Sequence, residues 1–139
     1  MTVKNLKRNL IKTIREYMLF HAERDKDNNI KCFITGKYFS EDNIHVCHYI
    51  SRGKNKFSYD VRNNLRLCCV YTNTYEDGII TKHEDSAGRK LTLHKYKFRN
   101  GLIKDIGLDN VIEMENDNEI VKFYLPELKN LINKYKIKK

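Results

Sequence analysis

Apolar residues recur at every fourth position through "KNLKRNLIKTIREYMLFHAE" (4–23), at Leu6, Leu10, Ile14 and Met18, with lysines and arginines between them. That is the period of an amphipathic helix, and it predicts one that shows Lys7, Lys12 and Arg15 to solvent. "RDKDNN" (24–29) is a turn by its Asp and Asn content. "IKCFITGKYF" (30–39) reads as a short hairpin, in which apolar and β-branched residues flank Gly36, a residue able to adopt turn conformations closed to bulkier ones. In "NIHVCHYI" (43–50), Ile44, Val46 and His48 alternate with His45, Cys47 and Tyr49, as in a half-buried strand. His48 is therefore expected on the Val46 face. The basic loop "SRGKNKFSYDVRN" (51–63) follows, and "NLRLCCVY" (64–71) is apolar enough for a second strand or the start of a helix. Residues 72–107 carry a weaker pattern, punctuated by Gly78, Gly88 and Gly101. "LDNVIEMEN" (108–116) returns to helical spacing at Leu108, Val111 and Met114. The final stretch is amphipathic around Leu125, Leu128, Leu131 and Ile132, with Pro126 where a first helical turn tolerates it and lysines at the negative end of the helix.

A chain of 139 residues without internal repeat or low-complexity linker is about one domain long and should bury roughly two-thirds of its surface. Lys plus Arg exceed Asp plus Glu by 27 to 18, a formal charge of +9, spread along the whole length. A polyanion is the partner such a surface favours, because each neutralised phosphate releases counterions; the plainer reading is a basic surface without a partner. No apolar run approaches the roughly 18 residues needed to cross a bilayer, and the first ten residues lack the apolar core of a signal peptide. The chain is therefore expected to be soluble, cytoplasmic and without a membrane partner. Cys32, Cys47, Cys68 and Cys69 form no C-x-x-C pair, and free thiols are expected.

One constellation carries chemistry. Hydrolysis of a phosphodiester needs a base for water, a cation to stabilise charge on the phosphate, and a group that orients the base. His48 titrates near neutrality and can accept the proton. Asn64 offers a side-chain carbonyl to fix the imidazole, Asn73 an oxygen for a hard cation such as Mg²⁺, and Arg52, Lys54 and Lys56 lie between them in sequence, where phosphate would approach. Against this, a single histidine on an apolar strand is more often a hydrogen-bonded core residue. His45, on the opposite strand face, reads as partly exposed, and His83 and His94 read as surface groups in charged loops. Tyr49, Tyr59, Tyr71 and Tyr75 have the spacing of core and rim, although tyrosines can also stack bases.

"CHYISRG" followed by "NNLRLCCVYTN" resembles the HNH, or ββα-metal, nucleases, and within them the phage recombination nuclease family NinG/Rap. That family runs C-x-x-C, then G-H-(aromatic)-x-S-R-G, then N-x-x-x-Q-C-x-x-C-N. Here stand Cys32; His48, Tyr49, Ser51, Arg52 and Gly53; and Asn64, Cys69 and Asn73, with Tyr75, Gly78 and "YKFRNGLIKDIGLDNVIEM" continuing in register, so that the likeness covers about residues 30–115. The resemblance implies an α+β fold in a single domain, with an N-terminal helix (1–25), a small ββα-metal core (30–80) and a C-terminal helical region (95–139). It implies a metal-dependent DNA endonuclease, encoded by a phage or similar element, acting on branched or recombination intermediates. His48 would activate water, Asn64 would orient the His48 region, and Asn73 would bind Mg²⁺ or Mn²⁺ at the start of the α element while Arg52 contacts phosphate.

Three positions depart from the pattern. Thr35 and Thr72 stand where the second cysteine of each pair belongs, so no structural zinc is expected, and Cys32 and Cys69 should be buried in one small core. A zinc held by Cys32, Cys68, Cys69 and a histidine is the sharper alternative. Cys47 replaces the carboxylate or glycine before the base and is expected to be a packed thiol, which leaves Mg²⁺ weakly held, with Glu76 as a candidate helper. Cys68 replaces a glutamine, with no evident consequence. Such drift also suits a DNA-binding protein that kept the fold and lost the chemistry, and a sequence-specific restriction or homing enzyme is a third reading. A homodimer would suit two-fold symmetric junctions, but no interface is legible.

Overall fold

Thr2 begins the first helix by accepting the amide of Asn5 on its hydroxyl, a cap that satisfies one of the orphan donors of the first turn. The computed structural model describes residues 2–51 and 55–137. Helix α1 (Val3–Phe20) buries Leu6, Leu10, Ile14, Met18 and Leu19, the stripe that the four-residue period requires. The chain turns at Asp25, whose carboxylate accepts the amides of Asp27 and Asn29, while Asn28 takes the left-handed conformation at φ 64° that Asn tolerates better than most residues.

Strands β1 (Ile30–Lys31) and β2 (Tyr38–Phe39) form the expected hairpin around Gly36, whose φ of 74° explains the glycine. Strands β3 (Ile44–His48) and β4 (Leu65–Cys69) pair antiparallel, His45 opposite Cys68 and His48 opposite Leu65. "NLRLCCVY" is thus mainly a strand. After it the chain makes one wide π-type helical turn, Tyr71–Tyr75, and a 3₁₀ turn, Glu76–Gly78. The element expected to present Asn73 is therefore a short turn. Tyr and Thr are poor helix formers, and Asp77 is drawn away to accept the Thr92 hydroxyl at 2.7 Å.

Residues 72–107, weakly patterned in sequence, make a third hairpin, β5 (Ile80–Glu84) with β6 (Lys90–Thr92), and then helix α2 (Leu93–Ile106), capped by Thr92 on the amide of Lys95. Gly101 lies within α2. An added Cβ there would sit 2.7 Å from the Phe33 ring, so this glycine marks a close approach between elements and not a turn. Helix α3 (Leu108–Asn116) follows at Gly107, and α4 (Leu125–Tyr135) opens with Pro126 in its first turn. Helix α4 packs along α1, with Leu128 fully buried.

The molecule is α+β, four helices with three small antiparallel strand pairs among the described residues. One core joins the α1 stripe to Ile30, Ile44, Leu65, Phe98, Leu102, Val111 and Met114. Among the described residues, no helix is long and apolar enough to cross a membrane.

Candidate active site

Strand β3 delivers His48 at its last position. Its Nε2 lies 2.9 Å from the carbonyl oxygen of Ser58, and since a carbonyl only accepts, Nε2 carries the proton and Nδ1 the lone pair of the neutral ring. Nδ1 has no hydrogen-bond partner among the described residues. The ring is half-buried. Burial lowers its pKa, opposed by the bond to Ser58, and the charge of Lys95 lowers it further. His48 is accordingly a neutral base with one nitrogen held and one available.

Asn64, fully buried, closes the loop that leaves His48. Its Oδ1 accepts from the amide of Ile50 at 2.7 Å, and its Nδ2 donates to the carbonyls of Ile50 and Phe57, both at 3.0 Å. The main-chain bond from Tyr49 N to Asn64 O continues the ladder by one step. An asparagine is suited to this place because one planar group supplies both an acceptor and two donors. Its action on His48 runs through the backbone, since it does not touch the imidazole.

Asn73 does not bond to His48. Its Nδ2 lies 3.0 Å from Nδ1 of His45, three residues before His48 on β3 and on the alternate face, so His45 is partly exposed as expected and in addition is the histidine that Asn73 meets. Local alternation places His45 correctly away from His48. What it could not reveal is which face the turn at 71–75 closes over.

Of the cations assigned to phosphate, Arg52 and Lys54 lie outside the described residues. Lys56 pairs with Asp117 at 2.9 Å. Another lysine is nearer the base: Lys95, from the first turn of α2, donates to the carbonyls of His48 and Tyr49, the latter at 2.9 Å. Burial lowers its pKa. A small cavity beside it is lined by Ser51, Arg89, Lys90 and Lys95 among others. The resemblance implied a helical region from residue 95, but the weak pattern over 72–107 did not place the first turn of α2 or mark Lys95.

Glu76 is committed to Lys97, with both oxygens within 3.0 Å of Nζ. Cys47 is buried, and its thiol is pulled down to about 6, chiefly by the neighbouring Cys68 thiol acting against burial, with His94 and Lys95 adding to it. His94 is not a surface group. It is 1% exposed inside α2, because the α2 period places it beneath Phe98 in the core, and neither ring nitrogen makes a hydrogen bond of normal geometry. His83 is exposed and stacks on Tyr96 at 3.8 Å. Tyr49 is buried, whereas Tyr71 and Tyr75 are exposed and stack on each other at 5.0 Å.

Cys32 and Cys69 lie buried in the core with Thr72 buried beside them, while Thr35 is exposed. The Cys32 sulfur accepts the amides of Thr35 and Cys69 at 3.5 and 3.2 Å, and the Thr72 hydroxyl donates to the Cys69 carbonyl at 3.1 Å. Among the described residues, no group of three or more His, Cys, Asp or Glu side chains is placed to hold a metal.

No protein-family model matches the chain, no curated protein matches it, and no solved structure matches it.

Proposed function

We propose that the protein is a metal-dependent DNA endonuclease of the HNH type, with β3, β4 and the following turn as a reduced ββα-metal core, acting on branched or recombination intermediates. The observation that carries the reading is the state of His48: an imidazole held through Nε2–H by a backbone carbonyl, with Nδ1 left as a lone pair near neutral pH. Nδ1 takes the proton of the attacking water. Asn64 ties Ile50 to Phe57 and so keeps the adjoining Ser58 carbonyl in place. Asn73 would hold a divalent cation, which would supply charge neutralisation on the phosphate. Asn73 and His45 would hold it, with the ends of the Asn73 amide exchanged so that Oδ1 stands where Nδ2 now lies beside the His45 ring. An imidazole donor favours Mn²⁺ over Mg²⁺, and Arg52 and Lys54 would contact the phosphate.

The test is nicking of supercoiled plasmid in Mn²⁺ and in Mg²⁺. Wild type is expected to nick faster in Mn²⁺, and His48→Ala to lose about 10²–10⁴-fold. A second reading, a DNA-binding protein without chemistry, is favoured by the Asn73–His45 bond on the strand face opposite His48. Oligonucleotide binding without cleavage in either metal decides for it.

A further inference from the structure

We propose that α1 carries a second polyanion-binding surface, a ridge of Lys4, Arg8 and Lys12 that docks on the phosphate backbone of duplex nucleic acid away from the candidate active site. All three side chains are exposed, and none takes part in an ion pair or hydrogen bond among the described residues. Elsewhere among the described residues Arg24, Lys31, Lys56, Arg66, Arg89, Lys90, Lys97 and Arg99 each pair with a carboxylate, while others such as Lys82 and Lys104 do not. Residues 2–15 contain no Asp or Glu at all. Arg15, next in the series, turns inward to the carbonyls of Ile44 and Glu41 and so anchors the helix that presents the ridge.

The spacing suits a duplex. Residues four apart on a helix are separated by about 6 Å along its axis, so the ridge spans about 12 Å, and a duplex strand offers a phosphate every 3.4 Å or so of its own axis. A membrane is a poorer occupant, because an interfacial helix must insert its apolar face, and that of α1 is buried in the core. Phosphate docking needs neither His48 nor a metal, so the ridge stands apart from the hydrolytic reading.

Binding of a fluorescently labelled duplex oligonucleotide is measured by anisotropy in EDTA, which suppresses cleavage, from 50 to 200 mM salt. Lys4→Gln/Arg8→Gln/Lys12→Gln is compared with a control of equal charge at exposed lysines away from the candidate site, Lys26→Gln/Lys82→Gln/Lys104→Gln. The α1 variant is expected to bind more than about tenfold more weakly at 50 mM salt, and its log–log salt slope to be shallower by about 2–3, near 0.9 for each phosphate that α1 no longer neutralises. The control should change much less. The thermal midpoint of the α1 variant should be unchanged or higher, because like charges four apart on a helix repel, and this separates weaker docking from a damaged fold. Equal losses in both variants, or wild-type binding by the α1 variant, would overturn the proposal. So would equally tight binding of polyglutamate, which would make an acidic protein the partner. His48→Ala should bind like wild type, so this result and the nicking result can fail separately.

Discussion

Asn64 shows how one side chain can set a loop. Its amide meets a backbone N–H and two carbonyls in a fully buried position, and an unmet buried polar group costs about 1–3 kcal/mol. Asn64→Ala should therefore destabilise the fold by about 2–4 kcal/mol in urea titrations, and Asn64→Asp as much or more, since carboxylate oxygens would face two carbonyls. His48 makes a prediction of a different kind. Its pKa is lowered in the fold, so the neutral base persists below the ordinary value near 6.5, and the acid limb of the nicking rate should fall at a pH lower than that. An acid limb above about pH 6.5 would mean that another group titrates. The sequence marked both residues, because a strand period and a motif spacing are local. Asn73 was marked too, but its bond to His45 depends on how one turn closes over the hairpin, and no local pattern carries that.

At the scale of elements, legibility followed periodicity. Helices α1, α3 and α4, the first hairpin and strand β3 formed where their patterns lie, while the apolar run of β4, open to strand or helix by sequence, became a strand by pairing with β3. Helix α2, covered only by the helical region that the resemblance implied from residue 95, was not legible in its own pattern because its buried series is His94, Phe98 and Leu102, with a polar ring at one end, and because Gly101 imitates a break. Both irregularities have a physical cost that can be measured. At Gly101 a methyl would press on the Phe33 ring at 2.7 Å, a ring already packed against Phe98 and under the Arg66 guanidinium, so Gly101→Ala should lose about 1–3 kcal/mol despite its higher helix propensity. At His94 two buried ring nitrogens meet no hydrogen-bond partner among the described residues. His94→Leu removes that desolvation cost and should leave the thermal midpoint unchanged or raise it. A marked drop would show that the imidazole has a partner it needs.

Across the whole molecule, buried polar groups tie together segments distant in sequence, and Glu115 ties the most. Its carboxylate accepts from the Tyr49 hydroxyl at 2.5 Å, from the Ser86 amide and hydroxyl, and from two nitrogens of Arg99. The end of β3, the β5–β6 turn, α2 and α3 thus share one anion. Burial alone would raise the pKa of Glu115, but the bonds from Arg99, Tyr49 and Ser86 outweigh it and bring it down to about 2. A carboxyl lowered from near 4.5 to about 2 contributes stability that is complete above the unfolded value and fades as pH falls toward the folded one, about 3 kcal/mol in all. Glu115→Gln keeps the shape and removes the charge. Its deficit in urea unfolding should be about 3 kcal/mol at pH 7, shrink steadily below about pH 4.5, and nearly vanish close to pH 2, whereas a deficit independent of pH would assign the cost to packing. The same carboxylate orients Tyr49, the neighbour of His48, so at neutral pH the variant should also nick more slowly in proportion to how far the loop leaving β3 loosens.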